Sequence, residues 1–403
     1  MNTRPSKAAS MFFVLALFGG LFVDAEAQVP ERKLTAPDAK FPEAFGMVGA
    51  LRELRDGRIL VADPLGQALM VINLQAGTAD TIGRVGAGPG EYKQPDAVFA
   101  LPGDSTLLVD LGNGRLTVLA PDLSFGETTP IAQGQPQAGG GGAMAGMNVV
   151  LPRGVDEQGR VYFQALGMGM RPGGQLPDSA AIIRWDRATG TFEQLGQVKL
   201  QERRVETSGG RGNRMMRLLE TPLSPQDGWG VGWNGRVAAA RSDGYYLEWI
   251  EPDGRRVRGD DVSYRPVRIR QAEKERWVEG RASSGLMIRA ELGDGGTRSM
   301  SFGRGGGGGG GDSDVDDYDW PDVMPAFIAS GVRVTPEGDA WVRRSVPAGG
   351  EAVFDVFGAD GQLKERITLP ADRRIVGFGP EHVYVVRNDE FDLQWLERYR
   401  RTT

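Results

Sequence analysis

The chain has 403 residues, with 60 glycines, 24 prolines, one histidine, no cysteine and a formal net charge of −6. Acidic and basic residues are interspersed, so there is no basic field for nucleic acid, and the missing cysteines exclude disulfides, a lipid-modified cysteine and most transition-metal sites. Many turn-forming residues and few helical stretches indicate an all-β chain long enough to bury a large core.

Residues 1–27 read as a signal peptide. Arg4 and Lys7 precede an apolar run from Met11 to Val23, and Ala25-Glu26-Ala27 forms a small-x-small cleavage site. Nothing later approaches the roughly 20 apolar residues of a membrane span. The mature chain, 28–403, is therefore expected to be exported, periplasmic or extracellular, without stable membrane insertion.

Residues 83–119 hold one nearly complete unit of a repeated pattern. A Gly-rich turn (Gly86, Gly88, Pro89, Gly90) leads into an apolar strand. Pro102-Gly103-Asp104 reverses the chain into a second strand, and Leu111-Gly112-Asn113-Gly114 feeds a third. Such a blade cannot bury both faces alone, so copies must stack against it. Second strands align at 58–63, 106–110, 160–163, 236–239, 340–342 and 382–386. Third strands follow at 69–74, 115–119, 181–185, 245–250, 353–357 and 393–399. Fourth strands are predicted at 78–82, 127–131, 191–200, 255–262 and 363–369.

Irregular spacing is explained by insertions near 134–148, 201–222 and 270–325. Setting them aside leaves roughly 47 residues per unit, within the range of propeller blades. The third insertion combines a helix near 271–279 with a flexible run over 293–319. The predicted fold is a single-domain six-bladed β-propeller of four-stranded antiparallel blades. The sixth unit lacks a fourth strand, and 29–36 is predicted to supply it, so that N- and C-terminal strands pair and close the ring.

The run Gly86-Ala87-Gly88-Pro89-Gly90-Glu91, followed by Pro95, Asp110, Asn113 and Arg115, resembles exported bacterial six-bladed β-propeller proteins related to NHL repeats. The ending over 377–399 resembles their last blade. The resemblance covers nearly all of the mature chain. It implies a scaffold whose relatives range from binding modules to hydrolases and lyases, so it bears on architecture far more than on activity. The unit is imperfect, because Asp63 is followed by Gly66 and Ala68 where Asp110 has Asn113 and Arg115.

Four residues are candidate ligand contacts: Asp63, Glu91, Asp110 and Arg115. Each also has a structural reading. The two aspartates end strands just before a turn, where a carboxylate accepts backbone N–H bonds, and Glu91 after the glycines can bond between blades. The glycine run completes no GxGxxG and precedes no helix, which speaks against phosphate binding. Asp312-Ser313-Asp314-Val315-Asp316 begins like a calcium loop but has Asp317 and Val323 at its sixth and twelfth positions, so an acidic linker is the better reading. His382 lacks a nucleophile signature. Trp185, Trp249, Trp341 and Trp395 read as packing between blades.

No catalytic residue or metal ligand is assigned. The function read from the sequence is that of an exported, monomeric propeller binding a ligand or an extracytoplasmic protein on one face, with no cofactor required. The alternative is a propeller hydrolase or lyase acting on a lactone, ester or glycan, with calcium held by channel carboxylates.

Overall fold

The computed structural model describes residues 1, 29–134, 148–166, 176–208, 215–284, 286–293, 296–304 and 314–401; the cleavage site of the predicted signal peptide lies outside them. Six antiparallel four-stranded sheets follow one another as the blades of a β-propeller. Blade 1 comprises Ala50–Glu53, Ile59–Asp63, Ala68–Asn73 and Thr78–Thr81. Blade 2 comprises Pro95–Ala100, Thr106–Asp110, Arg115–Leu119 and Phe125–Pro130. Blade 3 comprises Pro152–Val155, Val161–Gln164, Ser179–Asp186 and Thr191–Lys199. Blade 4 comprises Gly228–Val231, Val237–Arg241, Tyr246–Ile250 and Arg256–Arg258, and blade 5 comprises Phe327–Val334, Ala340–Arg344, Ala352–Phe357 and Leu363–Leu369. Blade 6 takes Arg373–Phe378, His382–Asn388 and Gln394–Arg400 from the C-terminus.

Second strands are apolar at nearly every position because both of their faces are buried. Successive side chains point to opposite sides of a strand. Ile59 and Val61 accordingly pack towards blade 6, while Leu60 and Ala62 pack towards blade 2. Trp185, Trp249 and Trp341 fill gaps between blades as expected. Trp395 instead donates its ring N–H to Asp389 in the turn of its own blade, at 2.8 Å.

The first strand of each blade lies innermost, against its counterparts in neighbouring blades. Crowding around the axis excludes side chains at some positions. A Cβ on Gly154 would lie 2.1 Å from Val231 Cγ1, and one on Gly228 would lie 2.6 Å from the Ala329 carbonyl oxygen.

The ring closes through the N-terminus, but through a later segment than 29–36. Ala39–Phe45 forms the outer strand of blade 6, antiparallel to Gln394–Arg400. Glu31–Lys33 runs parallel to Leu363–Leu369 and adds a fifth strand to blade 5. Burial explains the difference. Phe41 and Phe45 sink into the core shared by blades 6 and 1, whereas Glu31, Arg32 and Lys33 have no apolar side chain to bury and bind their neighbour through ion pairs such as Arg32–Glu365 and Lys33–Glu351. Pro42, which cannot donate to a ladder, falls where the register of Ala39–Phe45 shifts.

Antiparallel alternation brings every blade-to-blade connection, and every turn between second and third strands, to the same face of the propeller. All three predicted insertions emerge there. The first leaves by a short ladder, Ala132–Gln133 with Asn148–Val149, and the second forms the hairpin Arg203–Ser208 with Met215–Glu220. The third contains a helix, Gln271–Ser284, longer than the predicted 271–279, and a hairpin, Leu286–Gly293 with Gly296–Arg304. Part of the run expected to be flexible is thus paired. Phe302 supplies an apolar anchor against blades 2 and 3 that offsets the entropy of ordering; Gly305 to Gly311 lie outside the described residues. Residues 165–166 and 176–178, which flank the connection between the second and third strands of blade 3, also lie on this face.

Two stability predictions follow from the closure. Phe45→Ala should cost about 3–5 kcal/mol in urea unfolding, whereas deleting 28–36 should cost far less, because only the fifth strand of blade 5 is lost. Comparable losses in the two variants would contradict this closure. Alkali should act through tyrosines. Burial, with Asp156 beside Tyr162 and Glu397 beside Tyr399, pushes both phenols up to about 12 from an ordinary 10.0. A group whose folded pKa is raised contributes stability below its unfolded pKa and loses it as pH rises through the folded one. Thermal stability should therefore fall between pH 10 and 12, and less steeply in Tyr162→Phe.

Candidate functional site

Asp110 is fully buried at the end of its strand. It accepts the backbone N–H groups of Lys93 (3.0 Å) and Gln94 (3.1 Å), the Asn113 amide (2.7 Å) and Arg115 Nε (3.2 Å). Arg115 donates onward to the carbonyls of Ala87, Gly88 and Glu91. Glu91 folds back to accept Gly88 N–H at 2.7 Å and Arg84 Nε at 2.8 Å. Its carboxyl is held below the usual carboxylate range by the Gly88 N–H and then by Arg84. Glu91, Asp110 and Arg115 thus meet around one glycine-rich loop and fasten it. Asp63 stands apart in blade 1, where it accepts the N–H groups of Gly46, Met47 and Gly66 at 2.7–2.9 Å. Two separate aspartates therefore perform the same turn-fixing task, the structural alternative set beside ligand contact for these positions. In blade 4 the task moves to Asp227, which precedes the first strand and accepts Ser242 N–H and Lys199 N–H.

The axis presents different chemistry. Arginines on the innermost strands are of two kinds. Arg52 is bound to Asp104, the Ser105 carbonyl and the Thr106 hydroxyl, and Arg373 is paired with Glu397 at 2.8 Å. Arg153 and Arg333, from blades 3 and 5, have no carboxylate partner among the described residues. Arg153 reaches only the Trp229 carbonyl, at 3.5 Å, with its guanidinium 5.2 Å from the centre of the Trp229 ring. Arg333 Nη1 donates to the carbonyls of Ser330 (2.8 Å) and Val332 (3.0 Å).

Both side chains are open to solvent. Desolvation pushes Arg153 down to about 10, with repulsion from Arg333 adding to it, and desolvation alone lowers Arg333. On the same face of blade 5, two residues beyond the Arg333–Trp341 pairing, Arg343 is half-buried and its Nε lacks a hydrogen-bond partner. These arginines were missed from the sequence. The available signal was a charge inside a first strand flanked by small or apolar residues, as in Pro152-Arg153-Gly154-Val155 and Gly331-Val332-Arg333-Val334.

Above the channel, the third insertion is held on opposite sides of the ring. Glu273 accepts the Ala348 N–H of blade 5 at 2.9 Å, and Arg276 lies 3.9 Å from Asp372 at the entrance to blade 6. Phe302 packs into the blade 2–3 core, near Gly114. Asp319 pairs with Arg204 of the second insertion. Within the third insertion, Trp277, Tyr318 and Trp320 pack edge to face.

No protein-family model and no curated protein matches the chain. Solved structures with a similar fold include a gluconolactonase from Xanthomonas campestris (10% identity over 89% of this chain and 91% of that one, TM-score 0.40) and the calcium-binding protein regucalcin from Agrobacterium tumefaciens (9%, 92% and 96%, 0.40). Virginiamycin B lyase from Staphylococcus aureus is a third (9%, 86% and 79%, 0.36). At these identities the likeness is one of fold.

Asp110→Ala would strand two loop N–H groups and leave Arg115 without its carboxylate. It should cost about 3–5 kcal/mol in urea unfolding, clearly more than Glu91→Ala. Equal effects would remove Asp110 from its place as the main fastening of the loop.

Proposed function

We propose that this protein is an exported, monomeric binding propeller, akin to NHL-type scaffolds, that receives a small ligand in its central channel beneath the insertion-bearing face. The observation that carries the reading is the third insertion, anchored on blade 5 through Glu273 and in the blade 2–3 core through Phe302, on opposite sides of the ring. Three insertions on one face leave the opposite face with short hairpins and concentrate variable surface where the channel opens. Rigid inner strands, packed too closely for side chains at Gly154 and Gly228, give such a site fixed walls.

The alternative reading is a hydrolase or lyase acting on a lactone, ester or glycan. Carboxylate chemistry with calcium needs several oxygen donors in convergence. Among the described residues no group of three or more Asp, Glu or His side chains is placed to hold a metal. Calcium does not fit a channel wall that carries two uncompensated guanidinium groups.

A thermal-shift screen with sugars, lactones, amino acids and organic acids, followed by hydrogen-exchange footprinting of any hit, tests the proposal. The expected outcome is protection of Pro152–Val155 and Phe327–Val334, with the hit recovered chemically unchanged. Turnover of a lactone or ester, or protection confined to outer strands, would reject the binding role.

A further inference from the structure

Partly buried arginines in this protein ordinarily meet a carboxylate. Arg344 and Arg366 share the fully buried Asp355, Arg236 pairs with Glu251, and Arg241 pairs with Asp227 and Glu248. Arg153 and Arg333, both exposed, have no carboxylate partner among the described residues, and they flank one inner strand: Arg153 lies against the Trp229 carbonyl and ring, and a Cβ on Gly230 would lie 3.5 Å from Arg333 Cα. A guanidinium carries five N–H donors in a planar fork. Hydrogen bonds within the protein engage one nitrogen of Arg153 and one of Arg333, each with backbone carbonyls. Among the described residues no acceptor meets the remaining donors, although the chain as a whole is acidic. Two like charges held near each other without a counter-ion cost stability, and a narrow channel with low-dielectric walls strengthens their field.

We propose that the channel binds a small oxyanion, a carboxylate or a phosphate group, between Arg153 and Arg333. The proposal rests on the channel-binding role above and adds the chemical class of the ligand. Both groups present oxygen pairs that match a guanidinium fork, and each would offset the repulsion between the two guanidinium groups. The ring of the buried Trp229 lies beside Arg153 and supports its guanidinium from behind.

The test uses citrate and inorganic phosphate as separate probes, titrated by calorimetry and thermal shift against sodium chloride at equal ionic strength. At least one should raise the Tm of the wild-type protein beyond the chloride control, and the stronger of the two identifies the source of the oxyanion. Arg153→Gln and Arg333→Gln should each weaken binding by about tenfold or more, and the double variant should lose the response. In anion-free buffer the double variant should melt no lower than wild type, because a repulsion has been removed; an arginine kept only for structure would lower the Tm when replaced. Arg255→Gln, at an exposed outer position, should leave the titration unchanged.

If the glutamine variants fail to fold, Arg153→Lys and Arg333→Lys keep the charge, lose the fork and should still weaken binding. No response of the wild type to either probe, or a response retained in the double variant, overturns the inference. A neutral ligand that still protects the inner strands would leave the binding role standing while this assignment falls.

Discussion

The antiparallel pairing of Ala39–Phe45 with Gln394–Arg400 is the constraint on which the remaining architecture depends. A blade buries both faces only when it has a neighbour on each side, so an open ring would leave one face of blade 1 and one of blade 6 in water. The seam joins them by several means at once. Phe41, Phe45 and Leu396 share a core with Leu51 and Val61; Gln394 accepts from Val48 N–H and from Arg374; Tyr384 O–H donates to Glu53 at 2.6 Å. His382, the lone histidine, also sits at this seam, 3.7 Å from Asp38, and burial holds its ring pKa below the ordinary value. With the ring closed, six first strands are forced together at the axis, and the geometry of the channel follows.

Much of this was legible in the chain because blades advertise themselves locally. Alternating burial, apolar runs and turn residues at each reversal placed Thr106–Asp110, Arg115–Leu119 and Leu363–Leu369 to the residue. The closing strand was harder to read. Pro42 interrupts it, and only the distant core tells Phe41 and Phe45 apart from the equally extended Glu31–Lys33. The helix was anticipated but ended late, as helix boundaries often do.

The candidate site was least legible. Asp63, Glu91, Asp110 and Arg115 stood out because turn chemistry and ligand chemistry call for the same residue types. Arg153 and Arg333 look like any strand arginine until the carboxylates around them are counted in space. Sequence reveals which groups are present, whereas the absence of a partner is a property of three-dimensional arrangement. The inner strands carry both kinds of arginine: Arg52 and Arg373 meet carboxylates, whereas Arg153 and Arg333 meet none among the described residues.

The closing strand also has a consequence in time. Val48 N–H bonds to a residue 346 positions further along the chain. At a synthesis rate of about 5–20 residues per second, the partner strand emerges roughly 20–70 s after Phe41 and Phe45 do. During that wait two aromatic side chains and an unpaired strand edge have nowhere native to go. Until Gln394–Arg400 arrives, Phe41 and Phe45 have no native core to enter, so closure of the ring waits for the end of the chain.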